Sequence, residues 1–234
     1  MIDTRTIVAL DFPSGQKALD FLKQFTHPIW AKVGMELFYA AGPDIVNQIK
    51  ALGHRVFLDL KVNDIPNTVK GAMCDLAGYG ADMVDLMCLG GSAMMRAAIE
   101  GLAEGSKGKA RPLCLGVTVL TSLDEKALRE ELNIGVSPLV EVEHLARLAK
   151  DCGLDGCVCS PYEASAVKRA GGSDFLAVTP GIRFATDAKG DQKRVATPSF
   201  AKAQGADMIV VGRSITSAAD PLAAYAEAER EMEE

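Results

Sequence analysis

Short apolar runs alternate with amphipathic segments along most of the chain. The runs are rich in Val, Ile, Leu and Ala, as buried strands of parallel sheets are. The segments between them repeat apolar residues every three or four positions, which is typical of helices packed on a sheet. The predicted strands are residues 6–12, 29–34, 56–62, 83–89, 112–119, 156–159, 175–179 and 208–211. The predicted helices are residues 14–25, 66–76, 93–102, 139–149, 162–169, 199–204 and 222–231. A further helix, between the second and third strands, carries Ile45, Val46 and Ile49 and stops at Gly53.

This alternation amounts to about eight strand–helix units, which predicts a parallel sheet. Eight units in 234 residues favour a (β/α)8 TIM barrel. A doubly wound open sheet is the alternative. No linker-like or low-complexity segment interrupts the pattern, so residues 1–234 are predicted to form one catalytic domain.

Composition and charge narrow the possible classes of partner. The chain is 48% hydrophobic and 24% charged, which is ordinary for a soluble globular protein. Its formal net charge of -6 argues against non-specific binding of nucleic acid. No apolar run reaches the roughly 18 residues of a membrane span, and no signal peptide is apparent. We therefore expect a cytoplasmic protein that binds neither nucleic acid nor membrane.

Cysteines and histidines give no sign of metal or triad chemistry. No two of the six cysteines have the C-x-x-C spacing of zinc or redox sites. Four of them fall in apolar runs, so we expect reduced thiols that pack as small apolar side chains. The three histidines do not lie near a serine or cysteine nucleophile motif, which disfavours triad chemistry.

Unusual charges occupy the predicted strand 56–62. Because side chains alternate between the two faces of a strand, Asp59 and Lys61 share one face with Phe57. Burying either charge is costly unless it is paired. One interpretation is a structural ion pair inside a barrel. The other is an active site in which a lysine proton donor is held charged between Asp59 and a third charge, Asp64.

Further polar residues fall where the predicted strands end. In a barrel these ends meet on one face, where the active site forms. Barrel interiors are normally filled by Val, Ile and Leu, so a convergence of ionisable groups favours the second interpretation. The residues are Asp11, Lys32, Asp59, Lys61, Asp64, Asp85, Thr121, Ser122, Arg183 and Arg213.

The last two strands indicate a phosphate site. They continue into Thr179-Pro180-Gly181-Ile182-Arg183 and Val211-Gly212-Arg213-Ser214. Glycine lets the backbone approach phosphate oxygens, and arginine adds charge-assisted hydrogen bonds. The polar segment 184–191 that follows Arg183 is either a lid that closes over a phosphorylated substrate or a mobile surface loop.

With these residues in view, the chain resembles the orotidine 5′-phosphate decarboxylase family from about residue 7 to residue 216. The centre of the resemblance is the motif D-x-K-x-x-D-I-P-N-T, present unchanged at residues 59–68. The supporting motifs are Leu10-Asp11-Phe12, Lys32-Val33-Gly34, Thr118-Val119-Leu120-Thr121-Ser122, Thr179-Pro180-Gly181-Ile182-Arg183, Asp191-Gln192-Lys193-Arg194 and Val210-Val211-Gly212-Arg213. The family more often has proline where this chain has Phe184 and Ser214, which affects only local loop shape.

The resemblance implies a charged catalytic tetrad of Lys32, Asp59, Lys61 and Asp64. Lys61 would deliver a proton to the product carbon. The resemblance also implies a homodimer, in which Asp64 and Thr68 reach the site of the partner subunit.

The remaining implied roles concern binding of a nucleotide substrate. Asp11 and Lys32 would hold ribose hydroxyls, and Thr121 would contact the pyrimidine. The phosphate would be bound by Arg183, Gly212 and Arg213. Gln192 would bridge the phosphate and the base.

The implied reaction is decarboxylation of orotidine 5′-phosphate to uridine 5′-phosphate, the last step of de novo pyrimidine nucleotide synthesis. Loss of carbon dioxide leaves a carbanion-like centre at pyrimidine carbon 6, and no motif suggests pyridoxal phosphate, thiamine or flavin as an electron sink. We therefore expect chemistry without cofactor or metal, with a fixed ammonium as stabiliser and proton donor. The alternatives are a magnesium-dependent sugar-phosphate decarboxylase or lyase of the same superfamily and a non-catalytic phosphate-ligand binder.

Overall fold

A computed structural model describes residues 4–185 and 196–233. Eight parallel strands pair in the order β1 to β8, and β8 closes on β1. This closed barrel with intervening helices confirms the predicted TIM barrel and excludes the open sheet. The strands are β1 Thr6–Ala9, β2 Trp30–Gly34, β3 Arg55–Val62, β4 Met83–Met87, β5 Leu113–Val117, β6 Gly156–Val158, β7 Leu176–Thr179 and β8 Met208–Val211.

Helices lie between the strands and cover the barrel. Among the residues described, no helix is both long enough and apolar enough to cross a membrane. The helices are α1 Gly15–Leu22, α2 Met35–Ala41, α3 Asp44–Ala51, α4 Pro66–Gly78, α5 Gly91–Gly105, α6 Glu125–Glu130, α7 Pro138–Asp151, α8 Ala164–Gly171, α9 Pro198–Ala203, α10 Arg213–Thr216 and α11 Pro221–Glu233.

Local structure differs from the predicted pattern at a few places. The single helix expected after β2 is two helices, because Gly42 takes a φ of 73° and Pro43 follows it, so that the chain turns before α3. The strand expected to reach residue 89 ends at Met87, where a 3-10 turn over Cys88–Gly90 leads into α5. The connection at 124–132 contains the short helix α6, capped by the Asp124 side chain.

Two apolar clusters pack on opposite sides of the strands. The larger one lies between strands and helices and includes residues such as Val8, Val33 and Leu58. The smaller one fills the barrel with inward-facing side chains: Ile7, Ala9, Trp30, Phe57, Met83, Leu115, Val178 and Val210. The alternation of Phe57 inward and Leu58 outward confirms the predicted faces of β3.

Above this apolar filling, three adjacent strands carry ionisable side chains. On β2, β3 and β4, the residue two positions beyond the inward Trp30, Phe57 or Met83 is charged. These residues are Lys32, Asp59 and Asp85. Because side chains two residues apart share a strand face, the three groups converge at the carboxyl end of the barrel.

A Gly-x-Asp motif is repeated three times at the amino end of the barrel. Gly80, Gly153 and Gly205, each with φ between 85° and 90°, turn the chain two residues before Asp82, Asp155 and Asp207. Each carboxylate then accepts a hydrogen bond from a backbone N–H of the preceding strand. The bonds are Val56 N–H to Asp82 at 2.9 Å, Cys114 N–H to Asp155 at 2.7 Å and Ala177 N–H to Asp207 at 2.8 Å.

A cation completes each of these three sites. The pairs are Lys50 with Asp82, Arg111 with Asp155 and Lys168 with Asp207. Each pair joins residues that are 32 to 44 positions apart in the sequence, at the pole opposite the carboxyl end, where contacts in a barrel serve stability. All six cysteines are unpaired thiols, and burial raises the pKa of the Cys114 thiol.

Candidate active site

A cavity of about 440 Å³ opens at the carboxyl ends of the strands. This is the barrel face on which the sequence predicts a site. Apolar side chains contributed by β3, β5, β6 and β8 form its floor. Nine of the predicted site residues line it together: Asp11, Lys32, Asp59, Lys61, Thr121, Ser122, Arg183, Gly212 and Arg213.

Asp59 is the hub of the charged cluster. Its Oδ2 lies 3.0 Å from Nζ of Lys32, and its Oδ1 accepts a hydrogen bond from Nζ of Lys61. Lys32 Nζ also lies 3.5 Å from Oδ1 of Asp11, whose side chain is 61% exposed. Lys32 and Asp59 are nearly buried, so the two ammonium groups are held in place by one desolvated carboxylate.

The electrostatics of this cluster keep Lys32 and Asp59 ionised. Burial opposes the charge of Lys32, but Asp59 and Asp11 outweigh it and raise the pKa of the ammonium. Burial likewise opposes the charge of Asp59, but Lys32 and Lys61 hold the pKa of this carboxyl well below its usual range. Glycine at position 34 leaves room for the pair, because a Cβ there would lie 3.1 Å from Lys32 Nζ.

The backbone of Lys61 is the unusual feature of β3. Leu58 pairs with Val84 and Val62 pairs with Leu86, so β3 advances four residues where β4 advances two. Within this bulge Lys61 has a φ of 49°, a left-handed conformation that costs about 1–2 kcal/mol outside glycine. Bulges re-aim side chains near active sites, and this one directs the Lys61 ammonium into the cavity.

Asp85 stands directly behind this bulge. Its Oδ1 accepts a hydrogen bond of 2.8 Å from the Lys61 N–H, and its carboxyl adjoins that of Asp59 on the neighbouring strand β3. The side chain is 1% exposed and does not line the cavity. The sequence places Asp85 at a strand end but gives it no role. The signal that would have singled it out is its position two residues beyond Met83, as Asp59 stands beyond Phe57.

The glycines and arginines that the sequence predicts to bind phosphate line the cavity after β7 and β8. Gly181, with a φ of 84°, and Arg183 follow β7, while Gly212 and Arg213 follow β8. The helix α10 begins at Arg213, at the cavity wall. Two guanidinium groups and two glycine backbones can therefore face a bound phosphate, with the lysine cluster on β2 and β3 also lining the cavity.

Like Asp85, two further predicted residues do not line the cavity. Asp64 and Thr68 are exposed, near the start of α4, and do not line it. Oδ1 of Asp64 accepts a hydrogen bond of 2.6 Å from the Ile65 N–H, which orients the carboxylate. Gln192 and most of the segment 184–191 fall outside the described residues, so their predicted roles stay predictions.

Other lining residues were not assigned a role from the sequence. Leu120 and Cys159 line the cavity beside Thr121, and Pro180 lines it before Gly181. These side chains give the cavity an apolar wall against which a planar ring can pack. Among residues 4–185 and 196–233, no group of three or more His, Cys, Asp or Glu side chains is placed to hold a metal ion.

Sequence comparisons with known proteins identify a family and close relatives. Residues 4–228 match the model of the family described as orotidine 5′-phosphate decarboxylase / HUMPS. The orotidine 5′-phosphate decarboxylase of Bacillus caldolyticus is 58% identical over 231 residues, which cover 97% of this chain and 94% of that protein. That of Lysinibacillus sphaericus is 52% identical over 225 residues and covers 96% of each.

Solved structures agree. The orotidine 5′-phosphate decarboxylase of Lactobacillus acidophilus superimposes with a TM-score of 0.88 at 41% identity, covering 99% of this chain and 100% of that one. A protein of Geobacillus kaustophilus described as uncharacterized gives 0.87 at 51% identity, covering 97% and 99%. Because the family model and these relatives span nearly the whole chain, this protein belongs to the orotidine 5′-phosphate decarboxylase / HUMPS family.

Proposed function

We propose that this chain decarboxylates orotidine 5′-phosphate to uridine 5′-phosphate. The observation that carries the proposal is one cavity that joins the Lys32–Asp59–Lys61 cluster to the arginines that follow β7 and β8. The names of relatives that are 51–58% identical support it. A cavity of about 440 Å³ is also of the size that small-molecule sites have.

The substrate is held at both ends. Its phosphate binds Arg183 and Arg213, with backbone approach at Gly181 and Gly212, and its ribose hydroxyls contact Asp11 and Lys32. The pyrimidine lies against Thr121 and the apolar wall beside it. Binding energy from the remote phosphate orients the reacting carboxylate next to the lysine cluster.

Lys61 carries the chemical step. The bond between pyrimidine carbon 6 and its carboxylate breaks, its electron pair stays on carbon 6, and carbon dioxide leaves. The Lys61 ammonium stabilises this developing negative charge and then transfers a proton from Nζ to carbon 6. Solvent returns a proton to the amine after product release.

Asp59 positions the two ammonium groups before the substrate arrives. Because its carboxylate contacts both lysines, neither ammonium has to reorient as charge develops. The substrate carboxylate would lie next to Asp59, which repels it in the ground state. The phosphate is the same in the substrate and in the transition state. The negative charge that develops at carbon 6 therefore distinguishes the transition state from the bound substrate.

We also propose a homodimer with shared sites. Asp64 and Thr68 are exposed at the rim of the carboxyl face. Ile65, next to Asp64, is 68% exposed. Apolar residues that follow β2, β4 and β5 are exposed on the same face: Met35, Leu89 and Leu120. A second copy that covers this apolar rim would place Asp64 at the partner's cavity.

The test is a decarboxylation assay on purified, chelator-treated protein. Orotidine 5′-phosphate is added, and the ultraviolet change from orotate to uracil is followed. Rapid conversion without added metal is expected. Absence of conversion, with conversion of a sugar phosphate only after magnesium is added, would replace the proposal by the lyase alternative. Tight binding of uridine 5′-phosphate without any turnover would indicate a binding protein.

A further inference from the structure

Asp85 is a buried acid that the proposed mechanism does not use. It is 1% exposed and lies outside the cavity, so it does not touch a bound substrate. Nevertheless its carboxyl is placed against two of the mechanism's own residues, Asp59 and Lys61. A buried ionisable group in such a position requires a partner for each of its oxygens.

The two oxygens have different surroundings. Oδ1 accepts the Lys61 N–H at 2.8 Å. Oδ2 is fully buried and has no hydrogen-bond donor among the described residues. The carboxyl of Asp85 adjoins that of Asp59, which can only accept a hydrogen bond when it is ionised. The contact becomes a hydrogen bond when Asp85 is protonated and its O–H donates to Asp59.

The charges around Asp85 favour the same state. The titratable groups that face it are Asp59 and Lys61 on β3, Lys32 on β2 and Cys114 on β5. Asp59 is already committed as a carboxylate to both lysines. Burial, followed by the negative charge of Asp59, raises the pKa of Asp85 well above its ordinary value. Two adjacent carboxyls resolve such a conflict by sharing one proton.

We propose that Asp85 is a positioning residue that is a neutral carboxylic acid at neutral pH, donating from Oδ2 to Asp59 and accepting at Oδ1 from the Lys61 N–H. In this role it does two things at once. It holds the left-handed backbone of Lys61, so that the ammonium stays aimed into the cavity. It also adds a third donor to Asp59 without adding a negative charge to the cluster. The inference rests on the proposed function only for the use that Lys61 makes of this position.

Asp85→Asn and Asp85→Leu separate the two contributions. Asparagine is neutral, accepts the Lys61 N–H through its oxygen and donates to Asp59 through its amide. Leucine has a similar size and offers neither bond. We expect Asp85→Asn to retain kcat close to that of the wild type. We expect Asp85→Leu to lose about 10²-fold in kcat, the effect of a misplaced reacting group, with unchanged affinity for uridine 5′-phosphate.

A second measurement does not depend on activity. If Asp85 is protonated in the folded protein but ionised in the unfolded chain, wild-type stability falls relative to Asp85→Asn as pH rises. The difference in Tm between Asp85→Asn and wild type should therefore become more positive from about pH 5 to about pH 8. Asp75→Asn, which changes an exposed carboxylate on α4, is the matched control and should show a constant difference.

The outcomes are decisive in either direction. Infrared difference spectra of wild type minus Asp85→Asn should contain the carbonyl band of a protonated carboxylic acid at neutral pH. A Tm difference that does not change with pH, or the absence of this band, overturns the neutral acid. A kcat as low in Asp85→Asn as in Asp85→Leu overturns the positioning role. Because Tm and infrared spectra need no substrate, failure of the decarboxylation assay would leave the protonation state testable.

Discussion

Oδ2 of Asp59 lies 3.0 Å from Nζ of Lys32, and the two side chains are only 13% and 10% exposed, respectively. The same carboxylate also accepts a hydrogen bond from Lys61. One buried anion is therefore shared by two cations. Its loss would take the carboxylate partner from Lys61 and leave Lys32 only its 3.5 Å contact with Asp11. The proposed role of Lys61 is proton donation, whereas that of Asp59 is to hold the ammonium in place.

Replacing Lys61 by alanine removes the ammonium but none of the groups proposed to bind the phosphate. We expect Lys61→Ala to lower kcat by at least about 10⁴-fold, since both electrostatic stabilisation and proton donation are lost. Affinity for uridine 5′-phosphate, measured by calorimetry, should stay largely intact. Lys126→Ala, which changes a lysine side chain that is 78% exposed on α6, is the control. Substantial residual decarboxylation in Lys61→Ala would remove Lys61 from the donor role.

A shared site predicts recovery of activity in mixed dimers. Lys61→Ala and Asp64→Ala subunits are each expected to be inactive alone. When they are mixed and allowed to exchange, some sites receive wild-type Lys61 from one subunit and wild-type Asp64 from the other. Activity of the mixture, with heterodimers verified by differential tags, should rise above that of either variant. If verified heterodimers remain inactive, Asp64 does not act across the interface.

If Arg213 binds the phosphate as proposed, its removal should affect only substrates that carry a phosphate. We expect Arg213→Ala to raise KM for orotidine 5′-phosphate about 10- to 100-fold, the cost of a hydrogen bond to a charged group. The slow decarboxylation of the nucleoside orotidine should be unchanged. Arg147→Ala, at a 62% exposed position on α7, should alter neither reaction. An equal loss with both substrates would place Arg213 elsewhere in the mechanism.

The Gly-x-Asp sites at the other pole should control stability without affecting turnover. Asp155 accepts hydrogen bonds from Cys114 N–H and Arg111. Asp155→Ala leaves the Cys114 N–H without this acceptor and the Arg111 guanidinium with only the carbonyls of Pro112 and Gly153. We expect a loss of about 2–3 kcal/mol in the free energy of unfolding and an unchanged kcat per folded molecule. The exposed Asp151→Ala should change stability by less than about 0.5 kcal/mol in urea unfolding. A fall in kcat at unchanged stability would contradict this division.

Much of the barrel and its cavity follows from regularities of the sequence. The period of two along β3 was sufficient to place Asp59 on the inner face. It also assigns Lys61 to that face, although a bulge directs its ammonium. Alternation of strands and helices was sufficient to bring the arginines after β7 and β8 to the same end. The assignment of substrate came from the motif at residues 59–68 and its supporting motifs rather than from periodicity.

The bulge at Lys61 could not be predicted in this way. Its φ of 49° is held by a hydrogen bond to Asp85, a residue 24 positions away on another strand. Local preference opposes this conformation for a lysine, so only tertiary contact selects it. The break between α2 and α3 was more accessible, because Gly42 and Pro43 are both visible in the sequence.

The three Gly-x-Asp sites have a consequence for how such a protein changes over time. They fasten the ends of β3, β5 and β7 to the strands that follow, at the pole away from substrate. Substitutions in the cavity leave these hydrogen bonds in place. The stability that the bonds contribute can therefore offset a destabilising change in the cavity. A barrel built in this way is a favourable starting point for selecting new substrate preferences, since loops on one face can vary while the fastened face stays as it is.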